Sequence, residues 1–279
     1  MSAHTPTILL VHAHPDDEAS TTGGVIARYA AAGVRVVLVT CTNGELGDSP
    51  TGHTPDDDGH DTAAVVAHRL AELDASCALL GVSRLVLLGY HDSGMMGWAQ
   101  NDAPGSFWST PLAESSAKLL EVLEEERPDV VITYDENGFY GHPDHIQANR
   151  ITRAALESAT FSPKLYYATI PLSGFARFSE VLAEHGVQPP QEEEEVPSEL
   201  GVSDDQIGAI IDVQDFVGVK RAALAAHASQ TAQSFFLTIP EAAFNELFGT
   251  EWFVSVTPAT DQQVIEDDLL AGTSGEGLA

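Results

Sequence analysis

Two cysteines, twelve basic residues and no apolar run long enough to span a membrane set the first limits on this 279-residue sequence. Cys41 and Cys77 are too few for a disulfide framework. Both sit inside apolar segments, so they read as buried free thiols rather than redox or metal-binding groups. The 12 Lys and Arg stand against 42 Asp and Glu, a formal charge of −30. Such a surface repels nucleic-acid phosphates and anionic membranes, which excludes both as partners. The acidic excess itself reads as a solubility or salt-adaptation trait and is no evidence for a metal. The first six residues lack the basic and apolar regions of a signal peptide, so a cytoplasmic protein is expected. No G-x-G-x-x-G follows the first apolar strand, which sets aside a dinucleotide cofactor. No internal repeat is present.

What is present is an ordinary globular composition, 43% hydrophobic, and an alternation of strand and helix patterns. Short apolar, β-branched runs at 8–13, 34–40, 85–88, 130–134 and 165–169 read as buried strands. Helical periodicity falls between them at 24–32, 63–80, 112–126 and 145–157. This predicts an α/β fold: a Rossmann-like, mostly parallel sheet with helices on both faces over residues 1–170. A smaller C-terminal region over 171–258 is expected to complete the substrate pocket, with an acidic linker at 188–205 containing Glu192 to Glu195. Residues 259–279 are expected to be a disordered tail.

The first strand ends in His12-Ala13-His14-Pro15-Asp16-Asp17-Glu18, and the fourth in Asp135-Glu136-Asn137-Gly138-Phe139-Tyr140-Gly141-His142-Pro143-Asp144-His145. In open α/β sheets, ligands bind at the carboxyl ends of strands. Acids and histidines at helix starts also serve as caps or as partners of the helix dipole. Three adjacent acids beside two histidines, however, repel one another without a cation. His14, Asp17 and His145 together supply two imidazoles and a carboxylate, the donor set of a catalytic zinc site with one open position. Ferrous iron accepts the same ligands. His12 lies within the strand and reads as a packed core residue.

These motifs, with Asp92-Ser93-Gly94-Met95 and Lys164-Leu165-Tyr166-Tyr167, resemble the LmbE/PIG-L family of zinc-dependent N-deacetylases. The likeness is greatest to its mycothiol branch, the conjugate amidases and the biosynthetic deacetylases. The resemblance covers residues 7–170 and continues faintly through Lys220-Arg221 and His227-Ala228-Ser229-Gln230. It implies His14, Asp17 and His145 as zinc ligands and Asp16 as general base. It implies His142 as the residue that steadies the oxyanion or protonates the leaving amine. Asp144 is expected to orient His142 and raise its pKa. Tyr140 is either an oxyanion donor or a packing aromatic. Arg69 and Asp92 match positions that contact substrate. The implied activity is hydrolysis of an N-acyl bond in a small amino-sugar or thiol-conjugate substrate. A tailoring deacetylase of a glycosylated metabolite and a non-catalytic metal- or sugar-binding protein are the alternatives. Oligomeric state is left open.

Overall fold

Ile8, Leu9, Leu10 and Val11 are all buried. Their run is continuously apolar because a parallel strand at the centre of a sheet is covered on both faces. The strand they form is β1 (Thr7–His12). It is followed by α1 (Asp17–Thr21), α2 (Gly23–Ala31), β2 (Arg35–Thr42), α3 (Thr62–Leu80), β3 (Arg84–Tyr90), α4 (Leu112–Glu126) and β4 (Val130–Thr133). Next come α5 (Gly138–Gly141), α6 (Pro143–Ser158), β5 (Lys164–Thr169), α7 (Leu172–Glu184) and β6 (Ala209–Asp212). The chain closes through α8 (Val217–Ala226), α9 (Ala228–Thr231), α10 (Phe235–Thr238), α11 (Glu241–Phe248) and β7 (Thr250–Ser255). The computed structural model describes residues 4–188, 200–231, 234–256 and 265–273.

The strands form one sheet in the order β3-β2-β1-β4-β5-β7-β6. Strands β1 to β5 pair in parallel; β7 runs antiparallel to β5 and to β6. Alternate side chains of β1 serve two cores. Ile8 and Leu10 pack with Val25, Ile26, Leu73 and Leu80 from α2 and α3. Leu9 and Val11 pack with Leu119, Leu123, Ala148 and Ile151 from α4 and α6. Each fully buried aliphatic chain contributes about 1.5–3 kcal/mol. The expected α/β sheet with helices on both faces is therefore present.

Strand β1 has β2 on one side and β4 on the other. The chain leaves the carboxyl ends of β1 and β4 in different directions, opening a crevice at the point where strand order reverses. That crevice receives the turns containing His14 and His145.

The expected disordered tail needs correction at residues 265–273, where Leu269 and Leu270 are buried in the core. Glu266 accepts hydrogen bonds from Lys164 Nζ (2.6 Å) and from Tyr166 Oη. Tyr29 Oη donates to Asp268 Oδ1 at 2.7 Å. Two leucines and matched carboxylates hold the segment against α2 and β5, a pattern hidden in an otherwise acidic, small-residue composition. Residues 259–264 and 274–279, like the Glu192–Glu195 run at 189–199, lie outside the described residues. Among the described residues no helix is long and apolar enough to cross a membrane.

Candidate metal centre and active site

The two turns entering the crevice have different backbones. After β1, Asp16 adopts φ 127° and ψ −25°, a strained conformation for a residue with a Cβ. Several groups hold it there. Arg69 Nη2 donates to the Pro15 carbonyl (2.7 Å) and to Asp16 Oδ2 (3.1 Å), while Nη1 donates to the Gly44 carbonyl (2.6 Å). The Asp16 N–H donates to Glu18 Oε2 at 3.0 Å. After β4, by contrast, Pro143 opens the long helix α6, and His142 caps it by accepting the Asp144 N–H at Nδ1 (3.2 Å). Proline at a helix start loses no hydrogen bond, so the His142–Asp144 start itself is relaxed; the positive non-glycine φ of this segment falls upstream, at Phe139 (φ 68°, ψ −52°).

Gly138, at φ +64°, turns its carbonyl to His145 Nδ1 (3.2 Å). A Cβ there would lie 2.7 Å from the Ile146 nitrogen and 2.8 Å from His145 Cβ. Only glycine fits. The carbonyl fixes the His145 proton on Nδ1, and Nε2 is buried without a hydrogen-bond partner. His14 Nε2 faces Asp144 Oδ2 (3.2 Å) and Asp92 Oδ1 (3.7 Å), which leaves Nδ1 for Asp17. Asp17 Oδ2 lies 3.3 Å from His14 Nδ1 and 3.5 Å from His145 Nε2. Thus a carboxylate oxygen and two imidazole nitrogens face one another, each nitrogen's opposite side held by a carbonyl or carboxylate. Such atoms repel unless a cation or proton lies among them. The residues fit a metal ion.

His142 adds to the cluster, with one nitrogen each from His14, His142 and His145 within 4.8 Å of one another. The set His14, Asp92 and Asp144 meets the same limit. Electrostatics follow this geometry. Burial opposes protonation of His14, yet Asp92, Asp144 and Asp17 overcome it and hold the pKa well above the ordinary value. Burial likewise opposes ionisation of Asp17, but His145 and His14 hold its pKa well below the carboxylate range. His145 is pushed down to about 4, chiefly by burial, and His142 to about 3 by burial and by His14 and His145. Burial pushes Asp16 up to about 6, with Arg69 pulling the other way. Burial raises the Tyr140 phenol, which stays protonated at neutral pH.

All nine residues singled out from the sequence meet in this crevice. His14, Asp17, His145, His142, Asp144 and Asp92 form the centre. Asp16 and Arg69 pair beside it, and Tyr140 stands at the edge, its ring centroid 5.0 Å from that of His145. One expected role is corrected. The Asp144 carboxylate pairs with His14 and the Ser93 N–H (2.9 Å) rather than with His142. Its charge does raise the His142 pKa, but burial and the neighbouring His14 and His145 outweigh it, so the net shift is downward. The missing pairing follows from the helix cap: His142 Nδ1 is already taken by the Asp144 backbone. Arg69 is almost fully buried, with Nη2 engaged by the first turn and Nη1 by the Gly44 carbonyl in the loop after β2. His12 is a packed residue, buried between Tyr134 Oη and Thr22 Oγ1.

Tyr134 is a site residue that sequence reasoning places at the end of a strand, within the Thr133-Tyr134-Asp135-Glu136-Asn137-Gly138 stretch that carries the family resemblance, without giving it a role. Its Oη donates to Asp17 Oδ2 (2.7 Å) and accepts from the Ala13 N–H (2.9 Å), and its ring stacks on His145 at 4.1 Å. A hydroxyl-bearing aromatic ending the strand beside a candidate ligand was the available signal. Glu18, Ser93 and His227 are further polar residues behind the centre that stand in the quoted motifs without a role assigned to them.

The family model for PIG-L, described as GlcNAc-PI de-N-acetylase, matches residues 9–156, more than half of the chain. This chain belongs to that family. It is 41% identical to the 1D-myo-inositol 2-acetamido-2-deoxy-alpha-D-glucopyranoside deacetylase of Acidothermus cellulolyticus, over 95% of this chain and 94% of the relative. The enzyme of the same name from Salinispora arenicola is also 41% identical, over 95% and 91% of the two chains. Among solved structures, the 4-carboxy-2-hydroxymuconate hydratase GalB of Pseudomonas putida aligns with a TM-score of 0.58 at 18% identity, covering 93% of this chain and all of that one. That likeness concerns the fold alone, which hosts more than one reaction. The PIG-L member described here is a hydrolase of the N-deacetylase type.

Proposed function

We propose that this PIG-L member is a zinc-dependent deacetylase of 1D-myo-inositol 2-acetamido-2-deoxy-α-D-glucopyranoside, releasing acetate and the free amino sugar. The observation that carries the reading is the convergence of His14 Nδ1, Asp17 Oδ2 and His145 Nε2 beside the strained, half-buried Asp16. The substrate is supported by the names of relatives about 41% identical over 95% of the chain. His14, Asp17 and His145 would hold the ion; two imidazoles and one carboxylate favour zinc, with ferrous iron the runner-up. Zinc in such a set supplies Lewis-acid chemistry, activating water and polarising an acyl oxygen.

The protein's own groups do the rest. With its pKa near 6, Asp16 is ionised at neutral pH and takes the proton from the attacking water. The C–N bond breaks as Asp16 returns that proton to the departing nitrogen, so proton and leaving group balance. His142 accepts the Asp144 N–H at Nδ1, so its neutral ring carries the proton on Nε2. With a pKa near 3, it is suited to donating a hydrogen bond to the oxyanion rather than delivering a proton. The protonated Tyr140 phenol is a second donor. Asp92 and Asp144 steady His14, and Arg69 holds Asp16.

The test is acetate and amine release by apo and zinc-loaded protein from three compounds: the inositol glycoside above, N-acetylglucosamine and a mycothiol S-conjugate. Zinc-dependent turnover preferring the glycoside is the expected result. Preference for the S-conjugate would move the protein to the amidase branch. Absence of zinc-dependent release from all three would overturn the reading.

A further inference from the structure

Behind the first turn lies a buried polar seam of which the proposed mechanism uses only Arg69. Helix α3 turns Arg69, Glu72 and Ser76 inward, at the i, i+3, i+7 positions where an ordinary amphipathic helix places apolar groups. Arg69 grips Pro15 and Asp16 from one side. Seven residues on, Ser76 Oγ donates to Glu18 Oε1 at 2.5 Å. His227, just beyond α8, donates through Nε2 to the same oxygen at 2.7 Å. The other oxygen of Glu18 accepts the Asp16 N–H. Glu18 and His227 are completely buried, and His227 Nδ1 has no partner. Ser229 extends the seam by donating its N–H and Oγ to Glu72 (2.7 and 2.6 Å).

A fully buried ion pair with an orphaned nitrogen adds little stability; packed apolar residues of similar volume serve as well or better. What this pair supplies is geometry. Asp16 sits at φ 127°, a backbone that relaxes unless its surroundings over-determine it. The Glu18 carboxylate is the only acceptor of the Asp16 N–H among the described contacts, and His227 with Ser76 fixes that carboxylate.

We propose that His227 is a positioning residue for catalysis, acting through Glu18 to hold the Asp16 backbone in the conformation that presents its carboxylate. This rests on the assignment of Asp16 as general base. It means that the C-terminal third of the chain, 209 residues from Glu18, sets the geometry of the first motif.

The experiment compares wild type, His227→Leu, His227→Gln and Ser76→Ala as full-length, zinc-loaded protein. It measures metal content, kcat and KM on the inositol glycoside, and hydrogen exchange at the Asp16 amide. In His227→Leu, kcat should fall on the order of 10²-fold, while KM stays within about twofold and zinc remains stoichiometric. Asp16 amide exchange should accelerate. His227→Gln, whose amide nitrogen takes the place of Nε2, should restore most of the loss. Wild-type kcat in His227→Leu, a rise in KM alone, zinc loss accounting for the deficit, or no rescue by Gln would each overturn the proposal. Should His227→Leu not fold, Ser76→Ala decides: a several-fold lower kcat at unchanged KM supports the role, and wild-type kcat overturns it. Absence of turnover in the wild type would defeat the deacetylase reading alone, because amide exchange still tests the positioning.

Discussion

His-Pro-Asp occurs twice in this chain, and the two copies are built on opposite principles. The first, His14-Pro15-Asp16, is a strained loop clamped by Arg69 and Glu18, with its aspartate half-buried at the crevice. The second, His142-Pro143-Asp144, is a relaxed helix start whose aspartate is fully buried behind His14. The tripeptide does not determine the role of its acid. What surrounds the turn does: a buried guanidinium and carboxylate in one case, a 16-residue helix in the other. In the proposed mechanism one copy supplies the base, and the other a support that orients a ligand.

The comparison breaks most severely at the ligands it serves. His14→Ala and His145→Ala should each lose bound zinc and all turnover, as metal analysis and acetate release would show. Next come the two aspartates, for which identical changes should give opposite readouts. Asp16→Ala should lower kcat by about 10²–10⁴-fold with zinc retained. Asp144→Ala should weaken zinc binding by about 10–100-fold, because His14 loses the carboxylate that fixes its tautomer. A competition titration with a chromogenic chelator separates the two.

A smaller effect concerns pH. The active form of Asp16 is the carboxylate, and its pKa lies near 6. A bound cation beside Asp16 lowers that value, so at saturating zinc kcat/KM should rise with pH, level off at or below about 6, and fall tenfold per unit beneath the plateau. Asp16→Ala should abolish this limb and Asp144→Ala should leave it in place. The smallest effect sharpens the contrast in strain. In the presence of chelator, Asp16→Gly should be more stable than Asp16→Ala by on the order of 1 kcal/mol, since glycine adopts φ 127° freely. At Asp144, inside the first turn of α6, the order should reverse by about 0.5–1 kcal/mol. Urea denaturation of the four variants measures both differences.

Much of this architecture is legible from residue pattern. The strands at Ile8, Val36, Val130 and Leu165 announce themselves because parallel strands covered on both faces are continuously apolar. The two histidine turns stand out because such residues seldom cluster at strand ends without a ligand. The C-terminal packing is less visible. Leu269 and Leu270 are two apolar residues amid acids and glycines, and only the positions of Tyr29, Lys164 and Tyr166 give that segment its partners. Nor does sequence disclose that Asp144 faces His14, 130 residues away, rather than its neighbour His142. The same holds for Glu18 and His227, whose pairing depends on α1 lying against α8.

The most direct test of the central claim, that the two turns build one two-imidazole metal centre, is zinc-edge X-ray absorption on the loaded protein. The account predicts two imidazoles per zinc, from His14 and His145, with the remaining donors oxygen and the spectrum unchanged in His142→Ala. Three imidazoles in the wild type, falling to two in His142→Ala, would contradict it by making His142 a ligand in place of Asp17.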